Sequence, residues 1–270
     1  MIFLAIICMI LFLCSLYLFC LGGRTGHPDL HILCEFNYAH RGLHNAVRPE
    51  NSMAAFRGAW DAGYGIELDV HLMKDGNLAI LHDSSLQRVA GAEVKIEDLT
   101  VEDLPNYTLC GTGEHIPLFA QVLDLYRGKA PLIVELKTAG NNVDALCQAT
   151  MALLDDYQGL YCIESFDPRV TRWMRVHRPE IIRGQLSENW FHSKAKLPWI
   201  LKFIMTYHIS NVFTRPDFIA YKYCDRKTFG TEICRKVWGV QGVSWTLKTR
   251  EEYDTAVHEG WIPIFEDFTV

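Results

Sequence analysis

Gly65-Ile66-Glu67-Leu68-Asp69-Val70 is the stretch on which the reading of this chain turns. In an extended strand alternate side chains share a face, so Glu67 and Asp69 point one way while Ile66, Leu68 and Val70 point the other. If the strand belongs to a barrel, the apolar set meets surrounding helices and the two carboxylates face the interior near the strand's C-terminal end. Two like charges held this close are costly unless a cation neutralises them. The same device recurs at Ile133-Val134-Glu135-Leu136-Lys137, where Glu135 and Lys137 share one face and Val134 and Leu136 the other. Three carboxylates and one lysine converging on a barrel mouth suit a hard divalent cation and a phosphate. The competing reading, an exposed edge strand with solvated Glu and Asp, suits either segment alone better than both together.

Outward from these two segments, short apolar runs alternate with amphipathic stretches. The candidate strands are Asn37–Ala39, Gly65–Leu72, Leu78–Leu81, Leu132–Leu136, Leu160–Ser165, Ile181–Gln185, Asn211–Phe213, Val243–Thr246 and Ile262–Phe265. Helical patterns lie between many of them. Asn51 and Ser52 can cap a helix presenting Met53, Phe56 and Trp60 on one face and ending near Gly63. Asp144 to Tyr157 and Pro168 to His177 read likewise. Such alternation predicts an α/β protein with a mostly parallel sheet. About eight units favour a closed (β/α)8 TIM barrel over an open doubly wound sheet, and no Gly-rich dinucleotide fingerprint argues otherwise. A charged segment with Lys95 to Asp103 at its centre interrupts the pattern, and predicts a small insertion after the second strand region, at about 84–115, covering the barrel mouth.

The sharpest compositional break is at the N-terminus. Met1 to Gly23 has no charged side chain, and Ile2 to Leu21 is almost wholly apolar, near the ~20 residues that cross a bilayer. No basic residue precedes this run and no small-x-small site ends it, so a transmembrane anchor (1–22) is a better reading than a cleaved signal peptide or a buried core helix. A polar linker (23–35) follows, then the barrel (36–270). Arg24 on the C-terminal flank predicts a single-pass membrane protein with its catalytic domain on the cytoplasmic side. Nine scattered cysteines without metal-finger spacing fit free thiols in a reducing compartment. The formal charge of -6 argues against nucleic acid as a partner. Oligomeric state is not legible.

Two histidines close other apolar runs, His40 in Tyr38-Ala39-His40-Arg41-Gly42 and His82 in Ile80-Leu81-His82-Asp83. A lone histidine is more often structural, but strand ends are where barrel active sites are built. Phosphodiester cleavage needs one group to take a proton from the nucleophile and another to protonate the leaving oxygen, and imidazole suits both tasks. Arg41 can grip phosphate in a fork.

Read in order, "AHRG" (39–42), "PENS" (49–52), "GIELDVHLMKDG" (65–76), "LHD" (81–83), "VELK" (134–137), "SFDP" (165–168) and "VSWTLKT" (243–249) resemble the glycerophosphodiester phosphodiesterase family from about Phe36 to the C-terminus. The resemblance implies a TIM barrel with an insertion, His40 and His82 as an acid/base pair, and Glu67, Asp69 and Glu135 as ligands of one divalent metal ion, Mg²⁺ or Ca²⁺. It assigns Arg41 and Lys137 to the substrate phosphate. It marks Glu50 as a residue near metal or substrate hydroxyl, with a role at the helix entry the alternative, and Phe166 and Trp245 as pocket aromatics, with core packing the alternative. The sequence departs from the family's pattern after the last strand, where "IFEDF" sets Glu266 before Asp267. His44 has no assignable role.

The expected reaction is metal-dependent hydrolysis of a small glycerophosphodiester to glycerol phosphate and an alcohol in phospholipid breakdown, with the lipid bilayer as a second partner. The rivals are a lysophospholipase D acting on acylated substrates, which needs an apolar access path beside the insertion, and a catalytically silent membrane-tethered binding barrel. A barrel lyase releasing cyclic phosphates is disfavoured by the Glu67–Asp69 pair together with Glu135.

Overall fold

Alternating strand faces require cover on both sides, and the chain supplies it by closing the sheet on itself. In a computed structural model describing residues 1–270, the strands are β1 (Tyr38–His40), β2 (Gly65–Leu72), β3 (Leu78–Ile80), β4 (Leu132–Leu136), β5 (Tyr161–Ser165), β6 (Ile182–Ser187), β7 (Phe218–Lys222), β8 (Gln241–Leu247) and β9 (Trp261–Phe265). All but β3 pair in parallel, and β1 pairs with both β2 and β9, which closes an eight-stranded barrel. β3 returns antiparallel on the end of β2. The chain is therefore a (β/α)8 TIM barrel.

Each strand is two-sided in composition. Ile66, Leu68, Val70, Leu132, Val134 and Leu136 face the helices in a cluster of 30 buried residues. Tyr38, Ile133, Cys162, Ile182, Phe218 and Ile262 fill the interior in a second cluster. One position further along the inner face of β1, β4 and β5 come His40, Glu135 and Glu164. The barrel is thus filled with hydrocarbon at its N-terminal half and lined with polar groups at its C-terminal mouth, the division on which barrel sites depend.

Most predicted elements fall within a residue or two of their positions. One does not: Asn211–Phe213 was expected as a strand and is the helix Asn211–Thr214, with the strand displaced to Phe218–Lys222. A short apolar run has no periodicity to separate the two conformations. The real boundary is Arg215-Pro216, since the residue before proline leaves the helical region. Ser52, not Asn51, caps the helix Met53–Asp61, its Oγ accepting from Ala55 N at 3.1 Å. The interruption after β3 holds a short helix (Gln87–Ala90) and two 3₁₀ turns (Ile96–Asp98, Val101–Asn106) around an apolar cluster of its own. It supplies only Ser84 beside His82 to the mouth, so it flanks the mouth instead of covering it.

The apolar helix Ile2–Leu21 is long enough to cross a membrane and is exposed except at its end. There Leu21 is buried against Ile219, Ile233, Cys234 and Val240. The last carbonyls of a helix lack partners of their own, and side chains of the barrel supply them. Trp238 Nε1 donates to Leu18 O at 2.9 Å, Arg215 Nη1 to Phe19 O at 3.1 Å, and Asn211 Nδ2 to Leu21 O at 3.3 Å. The following segment is strapped across the barrel's N-terminal end. Arg24 forks onto Asp217, with both contacts at 2.5 Å, and Leu33 plugs the barrel floor, where it also accepts a hydrogen bond from Tyr38 Oη.

Candidate active site

Parallel register brings the chemistry into one place. His40 is level with Glu67, Asp69 with Glu135, and Glu135 with Glu164. A cavity of about 500 Å³ opens at the strand C-termini, lined among others by His40, Arg41, Glu67, His82, Glu135 and Lys137. Carboxylate oxygens of Glu67, Asp69 and Glu135 all lie within 4.8 Å of one another. Lys137 Nζ sits 2.8 Å from Asp69 Oδ1 and 2.7 Å from Glu135 Oε2, and Arg41 Nε sits 3.2 Å from Asp69 Oδ2. Every histidine, carboxylate and cation singled out for this site therefore converges here, with one exception. Glu50 does not line the cavity. It holds Arg41 Nη1 at 2.9 Å and Arg88 Nη2 at 2.7 Å, which makes it a brace for Arg41.

Charge in the site is unbalanced. Burial, with Asp69 and Glu135 beside it, pushes the Glu67 carboxyl well above the usual range. Burial raises Glu135 to about 7 against the pull of Lys137. Asp69 is also buried, but Lys137 and Arg41 outweigh that and hold it well below the usual range. Four buried carboxylates, Glu67, Asp69, Glu135 and Glu164, face only two cations, Arg41 and Lys137. Fully ionised, that leaves two negative charges, and Glu164 Oε2 is buried with no hydrogen-bond partner. A set of hard oxygen donors with a deficit of this size fits a divalent cation.

The imidazoles are oriented from behind. His40 Nδ1 lies 2.5 Å from Glu266 Oε2, and His82 Nδ1 lies 2.7 Å from Asp83 Oδ1. A carboxylate only accepts, so each Nδ1 carries the proton and each Nε2 is left with a lone pair. Burial lowers His40, opposed by its bond to Glu266. Burial lowers His82 to about 4, with Lys137 and Arg41 adding to the effect against Asp69. Burial works against ionisation of Glu266, yet contacts to His40, His44 and Lys248 hold it far below its ordinary value.

Aromatic rings wall the other side. Phe166 meets both Trp245 and Trp190 edge-to-face at 5.6 Å. Trp190, Glu164, His71 and Asn51 were not anticipated from sequence. Asn51 has φ 54 and donates from Nδ2 to Asp69 Oδ2 at 2.7 Å. His71 is buried beside Glu97 at 2.8 Å. His71 and Glu164 were within reach: His71 continues the Glu67–Asp69 alternation, and Glu164 stands to β5 as Glu135 stands to β4.

A profile described as the glycerophosphoryl diester phosphodiesterase family matches residues 40–269. The chain belongs to this family. A glycerophosphodiester phosphodiesterase of Caldanaerobacter subterraneus is 27% identical over 85% of this chain and 92% of its own length. A lysophospholipase D of Rattus norvegicus is 34% identical, over 40% of this chain and 38% of its own length. Among solved structures, a phosphodiesterase of Oleispira antarctica, in complex with the product sn-glycerol-3-phosphate, superposes with a TM-score of 0.70. It is 20% identical, over 86% of this chain and 92% of that one, a likeness that speaks for the fold. As a member of the family, the chain is a phosphoric diester hydrolase, and Glu266, the departure from pattern, is the residue behind His40.

Proposed function

We propose that this chain hydrolyses a glycerophosphodiester, with water adding to phosphorus and the alkoxide of the leaving alcohol taking up a proton, to give glycerol phosphate and an alcohol. The observation that carries the reading is the convergence of Glu67, Asp69, Glu135, Arg41, Lys137 and two carboxylate-backed imidazoles on one cavity. Glu67, Asp69 and Glu135 would hold one Mg²⁺ or Ca²⁺, which when bound would neutralise phosphate oxygens and lower the pKa of the attacking water. Arg41, braced by Glu50, and Lys137 orient the phosphate. One of His40 and His82, neutral with a lone pair at Nε2, would take the proton of the attacking water. The other, protonated at Nε2 when the anionic substrate lies beside it, would deliver that proton to the leaving oxygen, with Glu266 and Asp83 holding the Nδ1–H of each ring. Phe166, Trp190 and Trp245 exclude water from the leaving-group side.

Assaying the purified protein against glycerophosphocholine, glycerophosphoethanolamine, glycerophosphoglycerol and a lysophospholipid, with and without chelator, tests the reading. Turnover of a glycerophosphodiester that chelation abolishes supports it; inertness toward all four returns the chain to a silent binding barrel. A lysophospholipase D reading is favoured by one observation, the exposed apolar helix Trp199–Thr206 that follows the cavity residue Trp190.

The same proposal makes Ile2–Leu21 a retained single-pass anchor, with the barrel on the cytoplasmic side. Leu21 packs in the fold and three barrel side chains bond the last turn, so cleavage after this helix would strip a buried contact. Its role in phospholipid breakdown follows from substrate and anchor together.

A further inference from the structure

The helix Phe229–Lys236 leads from β7 back to β8, so it runs from the mouth of the barrel toward the opposite end. The apolar helix Ile2–Leu21 runs beside it in the same direction. Tyr17 stacks on Phe229 at 6.3 Å, and one turn later Leu21 O accepts from Cys234 Sγ at 3.4 Å. The residues before Tyr17 therefore rise past the mouth end of the barrel, not past its floor. A bilayer holding them would lie over the mouth end of the barrel.

The helix Trp199–Thr206 stands at that same end. Its C-cap Tyr207 receives the hydroxyl of Tyr17 at its carbonyl, at 3.5 Å. Trp199 is 70% exposed, and Ile200, Leu201 and Phe203 are exposed beside it, on a helix that a soluble surface would leave polar. Lys194 and Lys196 are exposed in the segment before it, and Lys202 is half-buried among the apolar residues. Tyr17 and Tyr207, packed against Phe229 and Phe203, are of the type that membrane proteins set at the headgroup level, and the lysines suit lipid phosphate. The helix is also coupled to the site. Thr206 Oγ1 accepts from Trp190 N at 3.0 Å, and Trp190 lines the cavity.

We propose that the helix Trp199–Thr206 and the basic segment before it form a second, interfacial membrane contact that seats the cavity mouth against the bilayer. This rests on the reading of Ile2–Leu21 as an anchor. An apolar face lying in the interface plane, flanked by lysine, is the form such contacts take. Seated this way, the mouth opens toward headgroups, and the substrate class extends to glycerophosphodiesters still carrying an acyl chain in the membrane.

The test uses the full chain reconstituted in phosphatidylcholine vesicles whose acyl chains carry bromine near the glycerol end, comparing wild type with Trp199→Phe. The emission of Trp199, obtained as the difference between the two, is expected to be blue-shifted and quenched by bromine. A difference spectrum typical of tryptophan in water and indifferent to bromine overturns the proposal, and leaves this face to a second copy or a protein partner. Hydrolysis of water-soluble glycerophosphocholine, measured on the same samples, reports on the enzymatic reading separately. Trp199 touches no part of the cavity, so both proteins are expected to turn it over equally.

Discussion

Glu266, one residue past β9, reaches across the seam of the barrel to place Oε2 2.5 Å from Nδ1 of His40 on β1, and so decides which nitrogen of that ring faces the cavity. Chain closure creates this pair, because β1 and β9 become neighbours only when the barrel shuts.

The first prediction follows from that contact. In Glu266→Gln an amide that can donate replaces a carboxylate that can only accept, which permits the wrong tautomer of His40. By analogy with carboxylate-to-amide changes behind catalytic histidines, turnover of glycerophosphocholine should fall by about 10²–10⁴-fold with little change in KM. An unchanged kcat would reduce Glu266 to a structural residue.

Removal of any one of Glu67, Asp69 or Glu135 as alanine should weaken binding of Mg²⁺ or Ca²⁺ by at least about 100-fold, since even groups behind metal ligands cost about 10–100-fold. Calorimetry on the chelated protein measures it. The pH dependence has a definite sign. Burial and Asp69 hold Glu135 near 7 without the cation, so protons compete for the site below that pH. Affinity should therefore rise as pH increases through about 7, with proton release on binding that varies with buffer ionisation heat. A flat profile between pH 6 and 8 would contradict this.

His40→Ala and His82→Ala should each lower turnover by roughly 10²–10⁴-fold while leaving metal affinity intact. A p-nitrophenyl ester needs little protonation of its leaving group. It should largely rescue the variant lacking the general acid and leave the other impaired. Equal rescue of both, or of neither, would refute the division of labour.

The buried Asp217 accepts both Arg24 and the backbone N–H of Arg183, the latter at 2.9 Å. Asp217→Ala should destabilise the barrel by about 3 kcal/mol, the low end expected for breaking a buried pair, because Arg24 is partly exposed. Urea unfolding of the detergent-solubilised chain measures the change. A loss below about 1 kcal/mol would mean that the strap over the barrel floor adds little.

What the sequence determined by itself were the features that repeat or alternate: period-two faces in Gly65–Leu72 and Leu132–Leu136, and a charge-free run of bilayer length. Alternation is local, so it assigns Glu67, Asp69 and Glu135 to an inner face before any partner is known. Tertiary structure decided what depends on residues far apart in the chain. Strand register set Glu164 beside Glu135, and closure put Glu266 behind His40. A positive φ at Asn51 turned a presumed cap toward Asp69. Arg24, a flanking charge in the sequence, gains a second role that only the fold shows, its fork onto Asp217. The short run Asn211–Phe213 was misassigned because three residues carry no period, and only packing against neighbours chooses between helix and strand for so short a piece.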